Sequence, residues 1–316
     1  MFRTTLLICI AGTVVVAQDA RTPPPAHDQK NILAAQVMLD SAGFSPGEID
    51  GRAGANFGRA VQAFQKSHGL GDSGRLDDAT AEALRQSFKD QPAVVTYALT
   101  EADVAGPFQP DIPADLVAQS KLPSLDYRSP LEALAEKFHA SPGLLRTLNP
   151  GQSFRQAGDQ ITVPNVTGSS PSAAPSSSRP ANTRIVVTKR TSALTVEDAN
   201  GRVLFFAPVT TGSQRDPLPI GKWKVTGVDE MPVFHYNPDL FWDADPSHSK
   251  AKIPAGPNNP VGVAWIDLSK PHYGIHGTPE PSKIGHVQSH GCVRMTNWDV
   301  RRVLEWVKPG TLVVFQ

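Results

Sequence analysis

His276-Gly277-Thr278, a loop, and then Ser289-His290-Gly291-Cys292-Val293-Arg294-Met295 form the stretch on which the reading of this chain turns. Gly274-Ile275-His276 reads as the end of a strand, and the residues around Cys292 as an extended segment. The sequence holds two cysteines, and the other, Cys9, lies at the extreme N-terminus. A cysteine attacks only as thiolate, so it needs a neighbouring base or a positive environment to lower its pKa from about 8.5. Two histidines qualify. His290 shares a face with Cys292 if the segment is extended, and Gly291 between them lets a substrate backbone approach. His276 closes a predicted strand and reaches Cys292 only if the fold brings the two together. Spacing alone leaves both open.

Outward from this stretch the pattern alternates. Residues 184–189, 193–197 and 202–207 read as strands, with Asp198-Ala199-Asn200-Gly201 as a hairpin turn. Residues 222–228, 261–267 and 273–276 continue the β pattern. One helix is predicted near the end, capped by Thr296 with Asp299 in its first turn and Val300, Val303, Leu304 and Val307 as its apolar stripe. Pro309-Gly310 stops it, and residues 312–315 supply a last strand. Residues 183–316 therefore read as a mainly β, sandwich-like or barrel-like domain.

Upstream, residues 167–182 are a Ser/Pro/Ala tract with almost no large apolar side chain, which reads as a flexible linker. Residues 29–90 are helical: Ile32, Ala35, Met38 and Leu39 share one face, Phe57, Ala60, Val61 and Phe64 a second, and Ala81, Leu84 and Phe88 a third. Gly43, Pro46-Gly47, Asp50-Gly51, Gly69, Gly71 and Gly74 separate these stripes as turns and helix stops. His68 sits at a helix end, where capping accounts for it. Residues 115–166 read as a small α+β unit. Ser129-Pro130-Leu131-Glu132 is a capping box with proline at the first helical position, and Ser141-Pro142 opens a second helix that Asn149-Pro150-Gly151 ends. A strand follows at 160–163, and a short opening strand is predicted at 125–127.

Residues 1–17 carry Arg3, an apolar run and Val15-Val16-Ala17, which together read as a secretory signal too short to span a bilayer. Cys9 would leave with it, so the exported chain would carry one unpaired thiol in a compartment that favours disulfides. Formal net charge is zero, which provides no basic footprint for nucleic acid or anionic lipid. Pro 29 and Gly 25 suit a loop-rich, multi-segment chain better than a helical bundle.

Three resemblances add to this reading. Helix, Ala42-Gly43-Phe44, Ile49-Asp50-Gly51, Ala60-Val61-Gln62-Ala63-Phe64-Gln65 and His68-Gly69-Leu70, in that order, resemble the peptidoglycan-binding domain of bacterial wall enzymes. The unit with the Leu148-Asn149-Pro150-Gly151 exit resembles a LysM module. His276 to Met295, with Pro219-Ile220-Gly221 and Pro254-Ala255-Gly256-Pro257-Asn258-Asn259-Pro260-Val261-Gly262, resembles the L,D-transpeptidase catalytic (YkuD) domain. This last likeness implies Cys292 as nucleophile and His276 as general acid and base. It implies that Ser289, His290 and Gly291 shape the site and its oxyanion hole, and that Arg294 steadies the loop or meets a substrate carboxylate. Gly277 stands where some relatives have a hydroxyl, so a backbone carbonyl is expected to orient His276. The implied partner is peptidoglycan, with no cofactor, metal, nucleic acid or stable membrane span, and the implied location is the periplasm or cell envelope. The implied reaction is transfer of a stem-peptide acyl group through a thioester. Water or a free D-amino acid in place of a stem amine would make the same site a carboxypeptidase, endopeptidase or exchange enzyme, and a wall-binding protein with an inert site is a further alternative.

His272, His276, His286, His290 and Cys292 are close enough in sequence to raise zinc. No paired cysteines or His-Glu-x-x-His pattern accompany them, and His272 and His286 read as loop residues. His235, Tyr236, Phe241 and Trp242 form an aromatic patch that reads either as core or as a lid over the cleft. Trp223, Trp265, Trp298 and Trp306 read as core or cleft wall. The linker predicts N-terminal units that hold glycan while the thiol domain samples nearby stems.

Overall fold

A computed structural model describes residues 26–166 and 182–316, so the signal reading and nearly all of the linker reading lie outside the described residues. The first unit consists of α1 (Ala26–Ser41), α2 (Ala55–Ser67) and α3 (Asp78–Ser87). Phe57, Ala60, Val61 and Phe64 are buried along one stripe of α2, at the three- and four-residue spacing that puts them on one face. Gln65 is also buried and binds the connection to α3, accepting from Gly74 N–H at 2.9 Å and donating to Thr80 Oγ1 at 2.9 Å. His68 caps α2, its Nδ1 lying 2.9 Å from the Phe64 carbonyl and its ring stacked on Phe64.

The second unit runs β1 (Val94–Ala98), α4 (Glu101–Ala105), α5 (Leu116–Gln119), α6 (Pro130–Lys137), α7 (Pro142–Leu148) and β2 (Gln160–Pro164). β1 and β2 pair antiparallel, Val94 opposite Pro164 and Ala98 opposite Gln160. The opening strand is thus residues 94–98, ahead of the expected start of the unit at 115, and residues 125–127 form no strand. Leu125 bonds elsewhere, donating to the Ala255 carbonyl at 3.0 Å and accepting from Asn258 N–H at 2.9 Å. Asn149 ties the exit of α7 to β2 by donating to the Thr162 carbonyl at 2.8 Å and accepting from Thr162 N–H at 2.6 Å.

The third unit contains β3 (Arg184–Thr188), β4 (Ala193–Glu197), β5 (Val203–Pro208), β6 (Gly221–Glu230), β7 (Phe234–Tyr236), β8 (Ala251–Ile253), β9 (Ala264–Leu268), β10 (Gly274–His276), β11 (Val293–Arg294), α8 (Asn297–Leu304) and β12 (Leu312–Phe315). One eight-stranded sheet dominates, in the order β11-β10-β9-β6-β12-β3-β4-β5. β7 and β8 form a separate pair. Instead of two stacked layers, the sheet curls until its edges meet. Thr210, just past β5, exchanges backbone hydrogen bonds with Arg294 of β11 at 3.0 and 2.9 Å. Ser289 N–H continues the seam to the Thr211 carbonyl at 3.0 Å. Ile185, Val187, Phe205, Ile266, Ile275, Val293 and Phe315 fill the interior, and Val300 and Val303 of α8 close it.

The units pack on one another. Phe206 of the edge strand β5 donates to the Gly43 carbonyl and accepts from Ser45 N–H, both at 2.8 Å, so the helical unit covers an otherwise open sheet edge. Ala193 and Phe206 share a core with Phe44, Phe57 and Phe64. Ile112 and Leu125 share another with Tyr236 and Ile253. Buried Arg302 of α8 grips Asp40 of α1 at 3.0 and 2.8 Å, and His139 of the second unit reaches the same carboxylate at 3.1 Å. The expected free sampling by a tethered thiol domain gives way to a docked arrangement, because apolar and charged surfaces on all three units find partners across the interfaces.

Candidate active site

The seam of the curled sheet carries the motif. β10 and β11 run parallel with Ile275 level with Val293 and His276 level with Arg294. Ile275 and Val293 point into the core, so His276 and Arg294 project from the opposite face. Cys292 lies at the bend just before β11, its sulfur in reach of the Gly274 N–H.

Each group is held locally. The His276 Nδ1 lies 2.7 Å from the Gly277 carbonyl, the kind of orienting partner expected where a hydroxyl is missing, and the ring stacks on Trp265 at 5.3 Å. A side chain at position 277 is excluded, since a Cβ there would come 2.3 Å from Asn297 Oδ1. That oxygen accepts from the Val263 and Thr278 N–H groups at 3.2 and 3.1 Å, and Asn297 Nδ2 donates to Glu136 of the second unit at 2.8 Å. Asn297 therefore pins the chain leaving His276, a role for which the sequence offered no signal beyond its place in the helix's first turn.

The Cys292 thiol donates to the His272 carbonyl at 3.7 Å, and His272 itself has an exposed side chain on a left-handed backbone with φ of 67°. No hydrogen bond joins the thiol to His276 among the described residues. Burial pushes the thiol pKa up, while Gly274 N–H and the Arg294 charge pull it down less strongly. Burial, helped by the Arg294 charge, lowers His276 to about 3. At neutral pH the imidazole is thus uncharged, and the resting pair is thiol and imidazole, not thiolate and imidazolium. Arg294 has a buried Nε without a hydrogen-bond partner, and its charge bears on both Cys292 and His276.

The other motif residues divide. Ser289 is buried, and its hydroxyl donates to the Cys292 carbonyl at 2.5 Å, bracing the turn. Gly291 has φ of 103°, and a Cβ on it would come 2.7 Å from the Tyr273 ring, so only glycine fits. Tyr273, which the sequence reading passed over, thus walls the thiol, and burial with the nearby Cys292 charge raises its own pKa. His290 Nδ1 is buried without a hydrogen-bond partner among the described residues. Its Nε2 meets Asp243 at 2.8 Å, and Phe241 packs edge-on against its ring at 5.1 Å. The aromatic patch accordingly splits, with Tyr236 in the core and Trp242, 52% exposed, beside His290. His286 is an exposed loop residue.

Residues 182–315 match the L,D-transpeptidase catalytic domain family (YkuD), and residues 28–84 match a peptidoglycan binding domain family. A Bacillus licheniformis protein named as the L,D-transpeptidase YkuD is 30% identical over 185 residues, spanning 58% of this chain and 91% of that one. Its Bacillus subtilis counterpart is 29% identical over 184 residues, again 58% and 91%. The solved L,D-transpeptidase from Mycobacterium smegmatis has a TM-score of 0.35 and 19% identity over 43% of this chain and 58% of its own. With the seam, its Ser-His-Gly-Cys turn and a relative matched across nearly its whole length, the chain belongs to the YkuD family of L,D-transpeptidases, acyl-transferring enzymes.

Proposed function

We propose that the chain is a peptidoglycan L,D-transpeptidase with Cys292 as nucleophile and His276 as general acid and base. The observation that carries this reading is the seam itself, where His276 pairs with Arg294 across β10 and β11 and the Cys292 sulfur, just before β11, meets the Gly274 N–H at the start of β10. The Cys292 sulfur attacks the carbonyl of the third residue of a stem tetrapeptide while neutral His276 accepts the thiol proton. Backbone N–H groups at Gly291 and Cys292 face the developing oxyanion. His276 then protonates the departing D-alanine nitrogen, leaving a thioester. An amine of a second stem attacks that thioester, its proton passes to His276, and the sulfur leaves to recover the thiol. Arg294 steadies negative charge on the sulfur and would meet a stem carboxylate, as a guanidinium does well.

The N-terminal helical unit would hold glycan. The second unit, strand, two main helices and strand, fits a LysM-like module. An exported enzyme in the periplasm or envelope suits these partners. Among the described residues, no helix is long and apolar enough to cross a membrane.

Product analysis with tetrapeptide muropeptides tests the reaction: dimers joined between third residues are expected along with free D-alanine. Tripeptide monomers alone would reassign the site to water as acceptor. The electrostatics make a separate prediction. Alkylation of Cys292 by iodoacetamide should rise steadily with pH toward an inflection above the usual thiol value of about 8.5. The sign follows from burial raising the thiol while His276, near 3, carries no charge to oppose it through the neutral range. A fast plateau between about pH 5 and 7, the mark of an ion pair, would overturn this account.

A further inference from the structure

We propose that Thr210 and Asn56 are positioning residues of the catalytic turn, which makes the N-terminal helical unit part of the catalytic apparatus as well as an anchor. This rests on the reading of Cys292 given above. The loop between His276 and Cys292 is held at its middle by two side chains. Thr210, almost wholly buried, accepts from Gly285 N–H at 3.0 Å through its hydroxyl, which also approaches the Lys283 carbonyl at 3.5 Å. Through its backbone the same residue pairs with Arg294, two positions past the thiol. One residue thus fixes both the loop and the strand that carries the nucleophile.

From the other side the loop meets α2. Asn56 Nδ2 donates to the Ile284 carbonyl at 2.8 Å, and Arg59 holds the Asn56 carbonyl oxygen. Gly285 has φ of 77°, and a Cβ on it would come 2.5 Å from Asn56 Oδ1, so the loop fits closely on the helix. The helical unit also covers β5 through Gly43 and Ser45, and β5 leads directly into Thr210. Two routes from one unit therefore converge on the residue that sets the register of β11. Misplacing reacting groups by about 1 Å costs up to about 100-fold in rate.

The test uses the full chain. Thr210→Val keeps the shape and loses the hydroxyl; Asn56→Asp keeps the acceptor for Arg59 and loses the donor to Ile284; Thr210→Ser keeps the hydroxyl. Turnover of a small soluble tetrapeptide is measured per alkylatable Cys292, so that misfolded protein does not count. We expect kcat per thiol to fall about tenfold in Thr210→Val and Asn56→Asp, with KM and sacculus binding unchanged, and to return to within about twofold in Thr210→Ser. If Thr210→Val fails to fold, the exposed-side variant Asn56→Asp carries the same test. Unchanged kcat in Asn56→Asp and Thr210→Val, with Cys292→Ala inactive, overturns the proposal and leaves the unit an anchor. Activity surviving in Cys292→Ala instead overturns the underlying assignment of the nucleophile.

Discussion

Cys292→Ala protein is expected to release no measurable D-alanine from tetrapeptide stems, a loss of at least about 10⁴-fold, since removing a nucleophile leaves only binding and oxyanion stabilisation. Nothing nearby is fit to replace it. Cys292 is the one cysteine among the described residues, and Ser289 is buried with its hydroxyl committed to the Cys292 carbonyl. Tyr273 is held protonated, its pKa raised by burial. The fold should survive, because the sulfur's partners are the His272 carbonyl at 3.7 Å and the Gly274 N–H, and a methyl occupies part of its volume. A melting midpoint close to that of the parent, together with absent turnover, is therefore the expected pair of results. Mass spectrometry of acid-quenched parent enzyme should find the stem acyl group on the peptide containing Cys292. Turnover in the alanine variant at even a tenth of the parent rate would exclude the thioester route.

Much of this site was legible from local pattern. Cys292, its Ser-His-Gly prefix and the strand ending on His276 are neighbours in sequence, and the apolar stripes of α2 and the Thr296 cap of α8 follow from local pattern alone. What stayed hidden depends on distant pairings. β1 is five residues whose partner lies more than sixty positions on, so it emerges as a strand only when β2 is beside it. Leu125 to Tyr127 have the apolar and aromatic character of a strand but use it against residues near Ala255 and Asn258. Tyr273 and Asn297 matter through what two glycines leave open, and a glycine in sequence does not say who will approach it. The choice between His276 and His290 was likewise open from spacing. In the structure His290 Nε2 meets Asp243 and its ring meets Phe241, whereas His276 ends β10, the strand paired with β11. A closed seam in place of a two-layer sandwich has the same origin, since nothing in the alternation of β5 or β11 announces that the two sheet edges meet.

The docking of the three units leads to the second large effect. Arg302→Met is expected to destabilise the whole chain by about 3–5 kcal/mol, the usual cost of stranding one member of a buried pair. Asp40 is fully buried between α1 and α8, and its carboxylate accepts two bonds from Arg302 and one contact from His139, which itself stacks on Trp298. Burial alone would raise the Asp40 pKa, and the Arg302 and His139 partners more than reverse this, holding it well below the ordinary carboxylate range. Because its folded pKa is depressed, its contribution is present above the unfolded value near 3.8 and is lost as pH falls through the folded one. In Arg302→Met that carboxylate loses its guanidinium and must take up a proton or stay charged in a nonpolar setting, and either outcome is costly at pH 7. Asp40→Asn should cost a similar amount by leaving Arg302 buried opposite an amide. The double variant should regain part of the loss, since the Asp40 and Arg302 charges leave together while buried Asp299, which also loses the Arg302 charge, takes up a proton more readily. Urea titrations of the four proteins at pH 7 give the coupling directly. Single variants within about 1 kcal/mol of the parent would mean that the contact is a surface-grade ion pair and that the units are held by their shared apolar cores alone.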